Sequence, residues 1–213
     1  MNANAAPAQG VDANMIREEE IFTGERVSLR LLTEQDAPLL YAFRCENRAF
    51  LQPFEPLHRD EQFTLEHMRS TLAGWTSDRL ADRSYGFGIF GSDAPGELAG
   101  TIRLSGIVRG AFQSAMLGYA LAERHNAKGW MTEAVRLVLG IAFQRLELHR
   151  VQANAMPRNA GSLRVMEKNG FRREGYSPRY LCINGVWEDH VCCAITAEEF
   201  PLAVQAAEPP GAW

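Results

Sequence analysis

Between Ser114 and Leu146 the chain passes from a strand pattern to its most regular helical pattern through one short loop, and this junction limits the folds open to it. Ser114–Leu121 reads as a strand. From Trp130 to Leu146, Met131, Val135, Val138 and Ala142 fall on one helical face, with Ala134 and Ile141 beside them. A helix with such a stripe must bury it against another layer.

The same alternation runs through the chain. Val27, Leu29 and Leu31 share one face of a strand, and Asp36 is placed to cap a helix reaching Cys45. The stretch from Arg48 to Phe63, RAFLQPFEPLHRDEQF, holds two prolines and reads as a loop. A helix over Thr64–Leu80 follows, then a hairpin of Tyr85–Phe90 and Leu98–Ser105. His149–Ala155 is a strand and Gly161–Asn169 a short helix, with Gly170 as its left-handed cap. Phe171–Ile183 and Trp187–Thr196 are strands joined at Asn184-Gly185. The order β-α-α-β-β-β-α-β-α-β-β predicts a mixed sheet covered by helices, α/β or α+β in class. Residues 1–20 read as a flexible acidic tail, 21–201 as one domain, and 202–213 as a second flexible tail.

Composition narrows the function. The 213 residues are 46% hydrophobic and 23% charged, which excludes a mainly disordered or fibrous chain. Net charge is −4, of which residues 1–20 carry −3. The near-neutral body argues against direct nucleic-acid binding. No apolar run is long enough to span a membrane, and the N-terminus lacks a secretory pattern, so a cytoplasmic address is expected. Cys45, Cys182, Cys192 and Cys193 form no CxxC pair, so no metal site is expected and the thiols read as reduced.

The chemistry concentrates in two segments. ALAERHNAKGWMTE, Ala120 to Glu133, ends a strand, makes a loop with Arg124, Asn126, Lys128 and Gly129, and opens the long helix. Free amides and the dipole at a helix N-terminus suit a phosphate or pyrophosphate, and the side chains of Arg124 and Lys128 add positive charge there. The second segment is NAMPRNAGSLRVMEKNGFRREG, Asn154 to Gly175. Together the two resemble the GNAT N-acetyltransferases. Arg124-x-x-Ala127-x-Gly129 is similar to their Q/R-x-x-G-x-G/A acetyl-CoA motif. Asn159-x-x-Ser162 and Lys168-x-Gly170-Phe171-x-x-Glu174-Gly175 follow the downstream signature. Ala127 replaces the motif's first glycine. NRAFLQPFEP at Asn47–Pro56, IVRGAF at Ile107–Phe112 and EGYSPRYLCINGVWEDHV at Glu174–Val191 resemble the RimJ and RimL branch, RimJ above all, which acetylates the N-termini of ribosomal proteins.

The resemblance implies a single-domain GNAT fold with a mixed, mostly antiparallel sheet, acetyl-CoA as cofactor and CoA as product. The strand Ala115–Ala120, with Leu117, Gly118 and Tyr119 at its centre, would pair with the pantetheine arm, and one of its amides would polarise the thioester carbonyl. Backbone amides of Arg124, Asn126, Ala127, Lys128, Gly129 and Trp130 would hold the pyrophosphate. Asn159 would bind near the pantetheine, and Ser162 would donate a hydrogen bond to the departing thiolate. The partner implied is a protein N-terminus of a ribosomal protein, and the enzyme would be a monomer or homodimer.

On the acceptor side Glu55 is placed to bind the substrate ammonium, with Glu174, Glu188 and Asp189 as further carboxylates. No general base is assigned. His190 is a cleft candidate, and Phe50, Phe54, Tyr180 and Trp187 could wall the acceptor groove. A small-molecule amine acetyltransferase and a non-catalytic acyl-CoA-binding module are the alternatives.

Overall fold

The computed structural model describes residues 15–201. Eight strands form one sheet in the order β1-β2-β3-β4-β5-β6-β8-β7. They are β1 Ile21–Thr23, β2 Val27–Leu31, β3 Ser84–Gly91, β4 Ala94–Val108, β5 Ser114–Leu121, β6 Arg150–Ala155, β7 Arg172–Ile183 and β8 Val186–Thr196. Only β5 and β6 pair in parallel. The helices are α1 Ala37–Glu46, α2 Arg48–Leu51, α3 Leu65–Leu80, α4 Trp130–Gly140 and α5 Ala160–Lys168.

Helices cover both faces. On one, α4 packs Met131, Ala134, Val135 and Val138 against Leu29, Ile89, Ile102 and Val151 of the sheet, with Met166 of α5 in the same cluster. On the other, Leu40 and Phe43 of α1 and Met68 and Leu72 of α3 meet Phe90 and Leu98. Every residue of β3 is therefore buried, as a strand sandwiched between helix layers must be. No helix of the described residues is long and apolar enough to cross a membrane.

Three sequence expectations are corrected. Residues 15–20 are anchored rather than loose: Ile16 is 0% exposed, its carbonyl accepts from Arg79, and Glu18 and Glu20 pair with Arg79 and Arg145 at 2.6 and 2.9 Å. Residues 1–14 and 202–213 lie outside the described part. The proline-bearing stretch 48–63 is built from helical turns, namely α2 and single turns at Gln52–Phe54 and Asp60–Gln62. Pro53 occupies the first turn, where its missing N–H costs nothing. The long helix departs from α geometry at Ile141–Arg145, a π-helical turn.

Asp36 sits at the N-terminus of α1, but its carboxylate turns away from the helix. It takes Arg30 in a two-pronged pair at 2.7 and 2.9 Å and accepts the Thr33 N–H at 2.9 Å. Burial pushes the Asp36 carboxyl up, yet Arg30 and Thr33 together hold it below its ordinary value of 3.8. A carboxylate depressed in the folded state contributes stability at neutral pH, and that contribution fades as pH falls through the folded value. Asp36→Asn should cost about 1–3 kcal/mol at pH 7, because it leaves Arg30 part-buried without a counter-charge. The loss should shrink in acid, read as a narrowing gap between the two thermal unfolding curves.

Candidate active site

β5 and β6 hydrogen-bond only over Ser114–Met116 and Arg150–Gln152, and beyond that they diverge. β5 stays paired with β4 through to Leu121, whereas β6 continues with β8. Leu117–Leu121 therefore present an unpaired backbone edge to an opening in the middle of the sheet. Such an edge can take up an extended polar chain as an extra strand would. Gly118 is exposed there, and a Cβ on it would meet nothing within 4 Å.

The loop beyond β5 is shaped for an anion. Glu123–His125 make one 3-10 turn, Ala127 is left-handed at φ 59°, and Gly129 at φ 81° is the N-cap of α4. Alternating hands turn successive amides to the same side, next to the free amides of the helix start. Ala127 is thus strained by its Cβ at the position where the motif has glycine. Ala127→Gly should raise stability by about 0.5–1 kcal/mol, less than the strain because glycine also loosens the unfolded chain. A small rise in melting temperature checks it.

The structure redistributes the charges expected at this loop. Arg124 is exposed and held by Glu97 and, at 3.2 Å, by Glu46, so its guanidinium is already committed to carboxylates. Lys128 is exposed. Arg26, on the β1–β2 turn, comes within 3.6 Å of where a Cβ on Gly129 would stand. Its own position is fixed by Glu133 of α4, which accepts its backbone N–H at 2.8 Å and pairs with its guanidinium at 3.4 Å. Asn47, 4% exposed, donates to the Phe43 carbonyl and accepts the Glu123 N–H at 3.0 Å, tying α1 to the start of the loop. His125 is part-buried and stacks on Trp130 at 4.2 Å rather than standing free. Local sequence carries no sign of the Arg26 and Asn47 contacts, which join distant segments.

Across the opening, Asn159 caps α5 by accepting the Ser162 N–H at 3.1 Å. The Ser162 hydroxyl lies 2.8 Å from the hydroxyl of Tyr119 on β5. The structure thus brings Gly118, Tyr119, Asn159 and Ser162 to one opening, with Ala127 and Gly129 in the loop that β5 leads into.

The carboxylates are all partnered. Glu55 pairs with Arg44 at 2.7 Å and lies 3.7 Å from His58, so an ammonium would have to share it with Arg44. Glu174 pairs with Arg150 and Arg172, Glu188 with Arg158, and Asp189 accepts from the Tyr176 hydroxyl and the Arg179 N–H. His58 is part-buried; burial pushes its imidazole below 6.5, helped by Arg44 and opposed by Glu55. With Arg44, Phe63, His67 and Trp75 it lines a cavity of about 210 Å³ between α1 and α3. His190 is 3% exposed, with Nδ1 3.0 Å from the Glu188 carbonyl and its ring 5.4 Å from Tyr180. Of the proposed aromatic walls, Phe50 packs into the α1–α3 core, whereas Phe54, Tyr180 and Trp187 are exposed.

An open strand edge beside a pyrophosphate-shaped loop, with a hydroxyl facing across, suits acetyl-CoA. Residues 26–172 match the family model "Acetyltransferase (GNAT) domain". Bacillus subtilis YjcK, named a probable N-acetyltransferase, is 44% identical over 175 residues, 82% of this chain and 96% of that protein. The Escherichia coli [ribosomal protein uS5]-alanine N-acetyltransferase is 33% identical over 179 residues, 84% and 92% of the two chains. Among solved structures, the ribosomal-protein-S5-alanine acetyltransferase of Vibrio fischeri superposes with a TM-score of 0.80 at 29% identity, covering 86% of this chain and 100% of that one. Mycobacterium smegmatis RimJ, solved with CoA-disulfide, gives 0.79 at 32% identity, with 83% and 85% covered. This chain belongs to the GNAT family of acetyl-CoA-dependent N-acetyltransferases and is related to the RimJ and RimL ribosomal-protein acetyltransferases.

Proposed function

We propose that this chain acetylates the N-terminal α-amine of a cytoplasmic ribosomal protein, alanine or serine being the terminal residue. The observation that carries the reading is that its likeness to the uS5-alanine enzyme runs through the acceptor half as well as the cofactor half. Bound acetyl-CoA supplies an activated carbonyl and a thiolate leaving group. The unpaired edge of β5, at Leu117, Gly118 and Tyr119, holds the pantetheine arm and offers an amide to the developing oxyanion. Amides from Ala127 to Trp130 hold the pyrophosphate; the expected Asn126 amide is not among them, because the His125 and Asn126 N–H groups already donate to the Ala122 and Glu123 carbonyls. Asn159 fixes the start of α5, and Ser162 donates to the sulfur.

Little base catalysis is needed. With a pKa near 7.7–8.0, roughly 10–15% of α-amines are neutral at pH 7, against about 0.04% of lysine side chains. Water can carry the proton away. Glu55, shared with Arg44, borders the acceptor side and would steady the incoming ammonium.

CoA release should be followed with acetyl-CoA and two matched peptides, one with a free N-terminal alanine and no lysine, the other blocked at its N-terminus with one internal lysine. Release with the first alone is expected. Release with the lysine peptide alone, or with neither, overturns the N-terminal assignment and turns the search to small amines or to binding without turnover.

A further inference from the structure

The Tyr119 hydroxyl reaches from β5 across the opening to α5, 2.8 Å from Ser162 Oγ and 3.3 Å from the Ser162 carbonyl oxygen. These are its only partners among the described residues. Burial pushes the phenol up to about 12, so it keeps its proton at any physiological pH and serves as a donor. Ser162, third in α5, would ordinarily turn its hydroxyl back on its own helix end. Here the side chain of Asn159 already fills that role by accepting the Ser162 N–H. A serine oxygen that accepts from Tyr119 has its own proton left over for another acceptor.

We propose that Tyr119 is a positioning residue that orients the Ser162 hydroxyl, so that Ser162 donates a hydrogen bond to the CoA sulfur while Tyr119 donates one to Ser162. The proposal rests on the reading that Ser162 faces the sulfur. As the amine nitrogen bonds to the acetyl carbon and the carbon–sulfur bond breaks, the electron pair stays on sulfur and the amine proton passes to water. The Tyr119–Ser162 chain stabilises that sulfur charge, and each bond in such a chain polarises the next. Phenylalanine at 119 keeps the ring and removes the outer donor.

The test reads the thiol of bound CoA, titrated by thiolate ultraviolet absorbance, beside steady-state kinetics. In the unaltered protein the bound thiol should ionise about tenfold more readily than free CoA, a shift of about one unit. Tyr119→Phe should remove most of this gain, Ser162→Ala all of it, and the double variant no more than Ser162→Ala. In turnover Tyr119→Phe should lower kcat about five- to tenfold while the acetyl-CoA KM stays within twofold, and Ser162→Thr should retain the thiol shift. A Tyr119→Phe protein that titrates like the unaltered one, or whose kcat loss adds to that of Ser162→Ala, overturns the proposal. If Ser162→Ala leaves the titration unchanged, the Ser162–sulfur reading falls with it. Because the probe is CoA alone, a failure to acetylate the alanine peptide would sink the acceptor assignment and leave this result standing. Should Tyr119→Phe not fold, fluorotyrosine placed at 119, which keeps the ring and strengthens its donor, should enlarge the thiol shift, and an unchanged titration overturns the proposal.

Discussion

Replacing Gly129 with aspartate is expected to weaken acetyl-CoA binding by about 1–3 kcal/mol, roughly fivefold to 150-fold in dissociation constant. Two effects add. At φ 81° the residue is left-handed, so any side chain strains the turn that aims the loop's amides. The new carboxylate would also stand beside the Arg26 guanidinium, which Glu133 already pairs at 3.4 Å, and would put a like charge where a phosphate must approach. Gly129→Ala separates the two, since it adds strain without charge and should lose only part of the affinity. Calorimetry with CoA checks both. An aspartate variant that binds as tightly as the unaltered chain would remove the pyrophosphate from this loop.

What the sequence revealed and what it concealed divide along the range of the interactions. Local signals were legible. The alternation Val27, Leu29, Leu31 became the buried face of β2, and Asn184-Gly185 became a turn with both residues at positive φ. Gly170 became a left-handed helix end at φ 82°. The strand and loop from Ser114 and the start of the helix at Trp130 fell where their patterns placed them, because turn chemistry and hydrophobic period act within a few residues. Long-range pairings were invisible. Arg124 looked like a phosphate ligand until Glu46 and Glu97, from α1 and β4, were seen to hold it. Ile16 gave no periodic signal, yet Arg79 grips its carbonyl and pins the end of the presumed tail. The Tyr119 hydroxyl is the clearest case. The tyrosine was read as part of a strand that offers only backbone, and its bond to Ser162 needs the divergence of β5 and β6, which no local pattern encodes.

Gly100→Ala and Gly118→Ala put the same methyl group on neighbouring strands and should fail in opposite ways. Gly100 on β4 pairs with Leu121 on β5, and a Cβ on it would stand 2.4 Å from the Ala120 carbonyl oxygen and 3.2 Å from the Leu121 Cα. Both are backbone, so the strand itself must give. The Ala122 N–H to Ala99 carbonyl bond at 2.8 Å holds the two strands together at that point. Overpacking of this kind costs about 1–3 kcal/mol, here at the upper end, and in a chain of this size should lower the melting temperature by roughly 5–10 °C. Gly118 faces the open edge, where the added methyl meets nothing. Its substitution should leave the melting temperature within a degree or two and instead take space from the pantetheine arm, weakening CoA binding roughly tenfold. A melting temperature unchanged by Gly100→Ala would mean that β4 and β5 approach less closely than the geometry requires. Unchanged CoA affinity in Gly118→Ala would mean that the cofactor does not run along this edge. The contrast places the cofactor because β5 is clamped on its β4 side and free on its β6 side, so stability and binding read opposite edges of one strand.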